Sequence, residues 1–513
     1  MTATATDRPG QRSARVGFAQ LLRAEWTKFR TVRGWVLAMA AAALVCVAVG
    51  LLGTAAPGTG RGAAPAVPQG PDGEAVNDSF YFVRQSLAGD GSITVPVTSL
   101  TGVISRGPGD TARGTAPWAK AGLIVKANRT QGSAYAAIMV TGSHGVRMQH
   151  NYVHDAAGIA GTTSADSPRW LRLVRSGDLI TGYNSTDGTH WTRVGAARLA
   201  GLPSTVQAGL FVTSPEATES TGVRTGYAPA VATARFGRVN LRGQWSGTSW
   251  RGEQLGGTGT TGSYTDTTGG GFKRSAGGFT VTGAGDIAPA VGGPASGGSL
   301  TIESFLVGVF AGLVIVIVVS TSFITTEYRR GLIRTTLAAS PRRGRVLASK
   351  AIVVGALAFA GGLVAAVAIP IGAHSARARG FYVFPVPLPT ELRVVVGTAL
   401  LLAVTAVLAL AVGAVLRRGA AAATLTISAI VLPYLLAVSG VLPATASQWL
   451  LRVTPAAGFA IEQSLRRYPQ VLGTYTPSSG YFPLAPWAGF TVLCGYAVVA
   501  LAAAVLLLRR RDA

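Results

Sequence analysis

Six stretches of this chain are apolar and carry no charged side chain: Trp35–Gly53, Phe305–Ile324, Ala351–Ile371, Val394–Leu416, Ala420–Leu442 and Trp487–Leu508. Each is long enough to cross about 30 Å of hydrocarbon as a helix rising about 1.5 Å per residue. A soluble domain does not need six such runs, so the expected architecture is a polytopic α-helical membrane protein with six spans. Only 13% of residues are charged, in keeping with that class.

The net charge of +24 raises nucleic-acid binding, because clustered cations release counterions from phosphate backbones. Their placement argues against it. Nineteen bases against four acids flank one side of the spans: the N-terminus, the loop after span two, Arg417 with Arg418, and Arg509–Arg511. The two short loops on the other side hold six bases and two acids. By the positive-inside rule the first side, with both termini, is cytoplasmic and no nucleic-acid partner is expected. The expected location is a bacterial plasma membrane. Some 33 residues precede the first apolar run, so it reads as a retained anchor rather than a cleaved signal.

Between spans one and two, about 250 residues change character to Gly, Ser, Thr and short alternating strands. Lys120–Lys126 and Trp170–Arg175 read as half-buried strands, and Tyr183–Trp191 as a hairpin with Asp187-Gly188 at its turn. The expected division is 1–34 cytoplasmic with an interface helix, 35–53 the first span, 54–75 a linker, 76–242 an extracellular β domain, 243–304 a Gly/Thr-rich linker with Phe279–Gly283 as one short strand within it, and 305–513 a five-helix membrane region. The only cysteines, Cys46 and Cys494, lie inside apolar runs and read as small apolar fillers. His144, His150, His154 and Asp155 are close in sequence, but in a polar, Gly-bounded setting they read as solvated, and no metal site is expected.

Trp118-Ala119-Lys120-Ala121-Gly122-Leu123, Trp170–Asp178, Ser185–Trp191 and Ala208–Ser214 together resemble the concanavalin A-like sandwich appended to some bacterial β-xylosidases. The resemblance implies a two-sheet jelly roll inserted between the first two spans. It also implies a carbohydrate-binding role in which Trp118, Trp170 and Trp191 are the candidate contacts to cell-surface sugar. No strand shows the alternating carboxylates of a glycosidase, so no catalytic residue is expected.

Upstream of span one, Phe18, Leu21, Leu22, Trp26 and Phe29 recur at helical spacing with Arg23, Lys28, Arg30 and Arg33 largely elsewhere, as in a helix lying in the lipid interface. Between spans two and three, Thr325–Lys350 reads as one short helix, with Ser340-Pro341 starting the next. Ala24–Arg33, Glu327–Arg345 and the ending Pro486–Ala513 together resemble actinobacterial permeases of the type-2, exporter class of ABC transporters. That resemblance implies a coupling helix seated in a separate ATPase subunit, with Glu25, Glu327, Tyr328, Gly331 and Arg334 as the coupling residues. It implies a broken hairpin before the last span and a homodimer or heterodimer of permeases. No phosphate-cradling Gly-x-x-x-x-Gly-Lys-Ser/Thr motif occurs, so no cofactor is expected on this chain, and ATP with Mg would belong to the partner. The competing reading is a membrane-anchored surface receptor or sensor without transport activity. An intramembrane enzyme is disfavoured, since the six runs hold no Asp, Glu or His.

Overall fold

The computed structural model describes residues 17–55, 67–107, 110–221, 224–256, 270–275, 277–291, 299–339, 342–379, 381–439, 441–471, 475, 477 and 480–510. Ten helices are described: α1 (Phe18–Thr31), α2 (Arg33–Ala55), α3 (Val309–Arg329), α4 (Leu332–Ala339), α5 (Arg343–Ala365), α6 (Ala368–Ala378), α7 (Leu388–Leu416), α8 (Gly419–Val438), α9 (Ala444–Val453) and α10 (Pro486–Arg510). Six segments built from them are long and apolar enough to span a membrane, one per expected run, the third being α5 continued by α6.

α7 is the central helix, packing on α3, α5 and α10, and its Leu401, Leu402, Ala406, Ala409 and Leu410 are buried. Gly308 and Gly312 bring α3 against α2 within the one chain. A Cβ at either position would meet the Cys46 carbonyl oxygen or Sγ at 2.1 Å, so this small-residue surface is already occupied. Before the last span, α9, a break at Thr454 and a fully buried 3-10 turn at Pro455–Glu462 form a broken hairpin.

Between the first and second spans lies an all-β domain in which 14 of the described strands form one sheet curled onto itself. The long strand Phe80–Gly107 runs through both layers. Its first part pairs with Thr205–Thr213, its middle with Arg169–Ser176 and its last part with Ala230–Phe236. The corner falls where Gly89 (φ +62°) and Gly91 face the register shift at Gly243 (φ +104°). A Cβ on Gly243 would lie 2.4 Å from the Asp90 carbonyl oxygen, so only glycine permits this approach.

The expected linker over 243–304 is corrected by the structure. Asn240–Leu255 pairs with Phe80–Gly107, Gly278–Gly283 with Ala230–Phe236, Gly271–Ser275 with Gly278–Gly283, and Ile287–Pro289 with Val76–Asp78. The Gly/Thr composition masks a short period-two pattern in which Phe279 and Val281 face the core. The Gly-rich runs 257–269 and 292–298 lie outside the described residues.

The domain has two cores. One lies between the layers around Val83, Leu123, Ile138, Leu173 and Leu210. The other covers the opposite face of the strands Phe80–Gly107, Lys120–Lys126, Tyr135–Thr141 and Thr205–Thr213, with Phe80, Phe82, Ile124, Tyr135, Tyr152 and Phe211 beneath Val76 and Ile287. Lys120–Lys126 is therefore buried along its whole length rather than half-buried. Its two lysines survive there by pairing: Lys126 Nζ lies 2.6 Å from Asp78 Oδ2, and Lys120 Nζ lies 2.6 Å from Asp286 Oδ1. Tyr152 Oη and the Gly132 amide also donate to Asp78 Oδ2.

Among the described residues, the β domain, the exit strand and the turn that follows it meet the rest of the helical part as follows. Gln470 Nε2 donates to the Val153 carbonyl at 2.8 Å, Ser299–Leu300 pairs in parallel with Tyr382–Val383, and Ser464 Oγ donates to Glu303 Oε2 at 2.7 Å. These lie at the opposite end of the helices from α1 and α4.

Asp78→Ala should strand the buried Lys126 ammonium and destabilise the β domain by about 3–5 kcal/mol, read as a lowered unfolding midpoint. Pairing it with Lys126→Met should recover most of the loss. A second expectation concerns His150, stacked on His154 at 4.3 Å and pushed down to about 4 by burial and then by His154, against an opposing pull from Asp72. The unfolded chain then binds this proton more readily than the folded one. Stability should be fully present above about pH 6.5 and fall as the pH drops toward 4. His150→Gln should flatten that part of a stability-against-pH curve.

Candidate functional site

At the end of the bundle opposite the β domain, four side chains from three helices form a compact charge cluster. α1 is amphipathic, and Leu21, Glu25 and Phe29, spaced one turn apart, form its buried stripe. Glu327 belongs to the last turn of α3, and Lys350 lies two turns into α5. Lys350 Nζ donates to Glu25 Oε2 at 2.7 Å and to Glu327 Oε1 at 2.6 Å. Lys28 Nζ reaches Glu25 Oε1 at 3.0 Å and Glu327 Oε1 at 3.1 Å.

Two carboxylates and two ammoniums leave the cluster neutral, which is what burial demands. Lys350 is fully buried, and the Glu25 and Glu327 side chains are only 2% and 7% exposed. Lys28 stands at the rim: burial pulls its pKa down, but Glu25 and Glu327 outweigh this and hold it above the ordinary 10.5. On the membrane side, Phe29, Trp35 and Phe323 pack with ring centroids 5.2–5.9 Å apart. The Lys350 ammonium sits 4.9 Å above the Phe323 ring, a cation–π contact that adds to its ion pairs.

The loop after α3 leaves this cluster through a tight turn. Gly331 takes φ +69° and donates its N–H to the Tyr328 carbonyl, a left-handed helix ending that favours glycine. α4 follows, with Ile333 buried and Leu332 48% exposed. Tyr328 packs under Arg417, whose guanidinium lies 5.0 Å from the ring centroid, tying the α3 end to that of α7. Arg343, opening α5, donates to the Leu508 carbonyl at the end of α10.

The five residues expected to couple to an ATPase therefore gather at one end but play different parts. Glu25 and Glu327 point inward to lysines. Tyr328 packs on Arg417, Gly331 shapes the turn, and Arg334 lies in α4 with its side chain outside the described residues. The proposed helix start at Ser340-Pro341 also lies outside them. Lys350 was counted in sequence only as a flanking cation, although a lysine immediately before an apolar run, with two lone glutamates elsewhere on the same side, is a signal for such a cluster.

The three tryptophans differ in their surroundings. Trp118 is buried and stacks on His144 at 3.9 Å, Trp170 lies against Gly188, and Trp191 carries the Arg172 guanidinium 3.8 Å from its ring. In the hairpin, Gly188 alone supplies a positive φ, +77°. Asp187 instead closes the turn through its carboxylate, which accepts the Thr189 and His190 amides at 2.8 Å and is held below the usual range by His190 first and by those amides. Of His144, His150, His154 and Asp155 only His150 and His154 meet; His144 stacks on Trp118, and Asp155 binds Arg147 and Gln149. No group of three metal-ligating side chains occurs among the described residues.

A family model described as ABC-2 family transporter protein matches residues 130–513. No curated protein matches the chain. Among solved structures, a functionally unknown protein from Saccharomyces cerevisiae is 14% identical over 36% of this chain and 84% of that one, with a TM-score of 0.23. A scytalido-glutamic peptidase bound to a transition state analog inhibitor is 11% identical over 40% and 98%, with a TM-score of 0.28. A mutant of the GH43 protein BlXynB from Bacillus licheniformis is 15% identical over 30% of this chain and 28% of its own length, with a TM-score of 0.19.

Lys350→Ala should leave Glu25 and Glu327 facing each other with Lys28 alone between them. We expect a loss of about 3–5 kcal/mol, visible as a lowered unfolding midpoint of the detergent-purified chain. The combination Lys350→Met, Glu25→Gln and Glu327→Gln, which leaves only the half-exposed Lys28 charged, should restore most of it.

Proposed function

The chain belongs to the ABC-2 family of transporter proteins and is a multi-pass membrane permease of an ABC transporter, and from that premise we propose that it works as an exporter driven by a separate ATPase seated on α4. The observation that carries the proposal is the buried Glu25–Lys350–Glu327–Lys28 cluster. It locks α1, α3 and α5 together around the two ends of the short loop that holds α4. A push on α4 then moves three helices as one body, because the interior of a packed bundle transmits displacement rather than absorbing it.

In this reading the contact to the ATPase comes from the outward side of α4, where Leu332 projects, while Glu25 and Glu327 act as positioning residues behind it. The flanking cations support a cytoplasmic position for this end, and by the positive-inside rule the β domain lies outside the cell. ATP and Mg would be held by the partner. The ring faces of Trp118 and Trp191 are already engaged by His144 and Arg172, so nothing in their arrangement favours a sugar platform over the transport reading.

With the partner ATPase co-expressed, Leu332→Asp should lower its co-purification at least tenfold, since it places a charge at the only large exposed apolar side chain of the described α4 surface. The triple variant Lys350→Met, Glu25→Gln and Glu327→Gln should keep the ATPase bound. Its permease-stimulated ATP hydrolysis should fall. Full recovery of ATPase with Leu332→Asp would remove α4 as the seat.

A further inference from the structure

Beside the charge cluster, α1 and α5 enclose an open groove of about 250 Å³, lined by Leu22, Arg23 and Trp26 from α1 and by Ile352, Val353 and Ala356 from α5. Its surface is almost entirely apolar, yet among the described residues none covers it: Trp26 and Ile352 are 46% and 49% exposed. The groove starts two residues past Lys350, where the charge-free stretch of the third span begins. From Ile352 to Ala356 it descends about 6 Å along α5. It therefore opens at the level where headgroups give way to acyl chains.

The orientation of α1 follows from its buried stripe. With Leu21, Glu25 and Phe29 turned to the bundle, Leu22 and Trp26 fall about 100° around the helix, over α5, and Arg23 falls at the rim. Both carboxylates nearby are consumed by lysines, and among the described residues Arg23 forms no ion pair. Arg30 and Arg33 add exposed positive charge at the far end of the helix. An apolar slot at the membrane boundary with a free guanidinium at its mouth is complementary to one abundant molecule.

We propose that this groove is a binding site for an anionic phospholipid, with one acyl chain against Ile352, Val353 and Ala356 and its phosphate on Arg23. The proposal rests on the assignment of the third span but not on the exporter reading. Bound there, the lipid would brace α1 against α5 on the outer side, as the Glu25–Lys350 pair does on the inner side.

The test uses the full-length protein in mild detergent, equilibrated with equal phosphatidylglycerol and phosphatidylcholine, with retained lipid counted by native mass spectrometry. One phosphatidylglycerol should be held in preference to phosphatidylcholine. Arg23→Gln should lower its retention roughly fivefold, the effect of one cation near an anionic headgroup. Ala356→Trp, at an exposed position, should fill the slot and abolish retention without lowering the unfolding midpoint. Arg33→Gln, outside the groove, should leave retention unchanged. Equal retention of the two lipids, an unaffected Ala356→Trp, or an equal loss in Arg33→Gln would overturn the site. Disulfide formation between two copies carrying Ala356→Cys would do so too, by making the groove an interface between chains.

Discussion

A lysine buried between two glutamates, at the boundary where a membrane helix begins, sets much of how this chain is put together. Lys350 cannot lie in a dry bundle alone, and neither can Glu25 or Glu327, so each requires the others. An apolar replacement of the whole set need not be less stable, because desolvation offsets most of what the ion pairs contribute. What the charges add is register. Leucines would tolerate α1 sliding or turning on α5, whereas ammonium and carboxylate groups at 2.6–3.1 Å allow one placement.

That placement has consequences along the bundle. Fixing Glu25 turns Phe29 onto Trp35 and Phe323, so the break at Val32 between α1 and α2 is pinned by aromatic contacts on its inner side. Fixing Glu327 and Lys350 sets the span that the α4 loop must close, and Gly331 closes it with a left-handed turn. Small residues then do in the apolar layer what the charges do at its edge: Gly308 and Gly312 let α3 approach Cys46, and Gly362 lets α5 approach Ala399 of α7.

The six spans and the existence of a β domain between the first two were legible because both signals are local. An apolar run reports a lipid-crossing helix, and alternation reports a strand. Within the expected linker only Phe279–Gly283 read as a strand; Gly271–Ser275 was hidden by its linker-like composition, and the pairing of Gly278–Gly283 with both Ala230–Phe236 and Gly271–Ser275 brings it into the sheet. Likewise Lys120 and Lys126 look like the wet side of a strand until Asp286 and Asp78, distant in sequence, arrive to neutralise them. For the candidate site, Glu25 and Glu327 were recognisable as residues of interest, but their inward orientation was not, since helical phase alone did not show that the buried stripe of α1 runs through a carboxylate.

The β domain touches the helical part directly, through the Gln470 side chain donating to the Val153 carbonyl. Its second core, beneath Val76 and Ile287, buries the other face of the strands Phe80–Gly107, Lys120–Lys126, Tyr135–Thr141 and Thr205–Thr213. The exit strand Ser299–Leu300 then pairs with Tyr382–Val383 before Glu303 engages Ser464, so the domain meets the helices through backbone pairing at the very start of the second span. α3, which descends from that junction, ends at Glu327 in the charge cluster. One helix thus has the Ser299–Leu300 pairing near its head and the α4 loop at its foot, with packed side chains along the length between them.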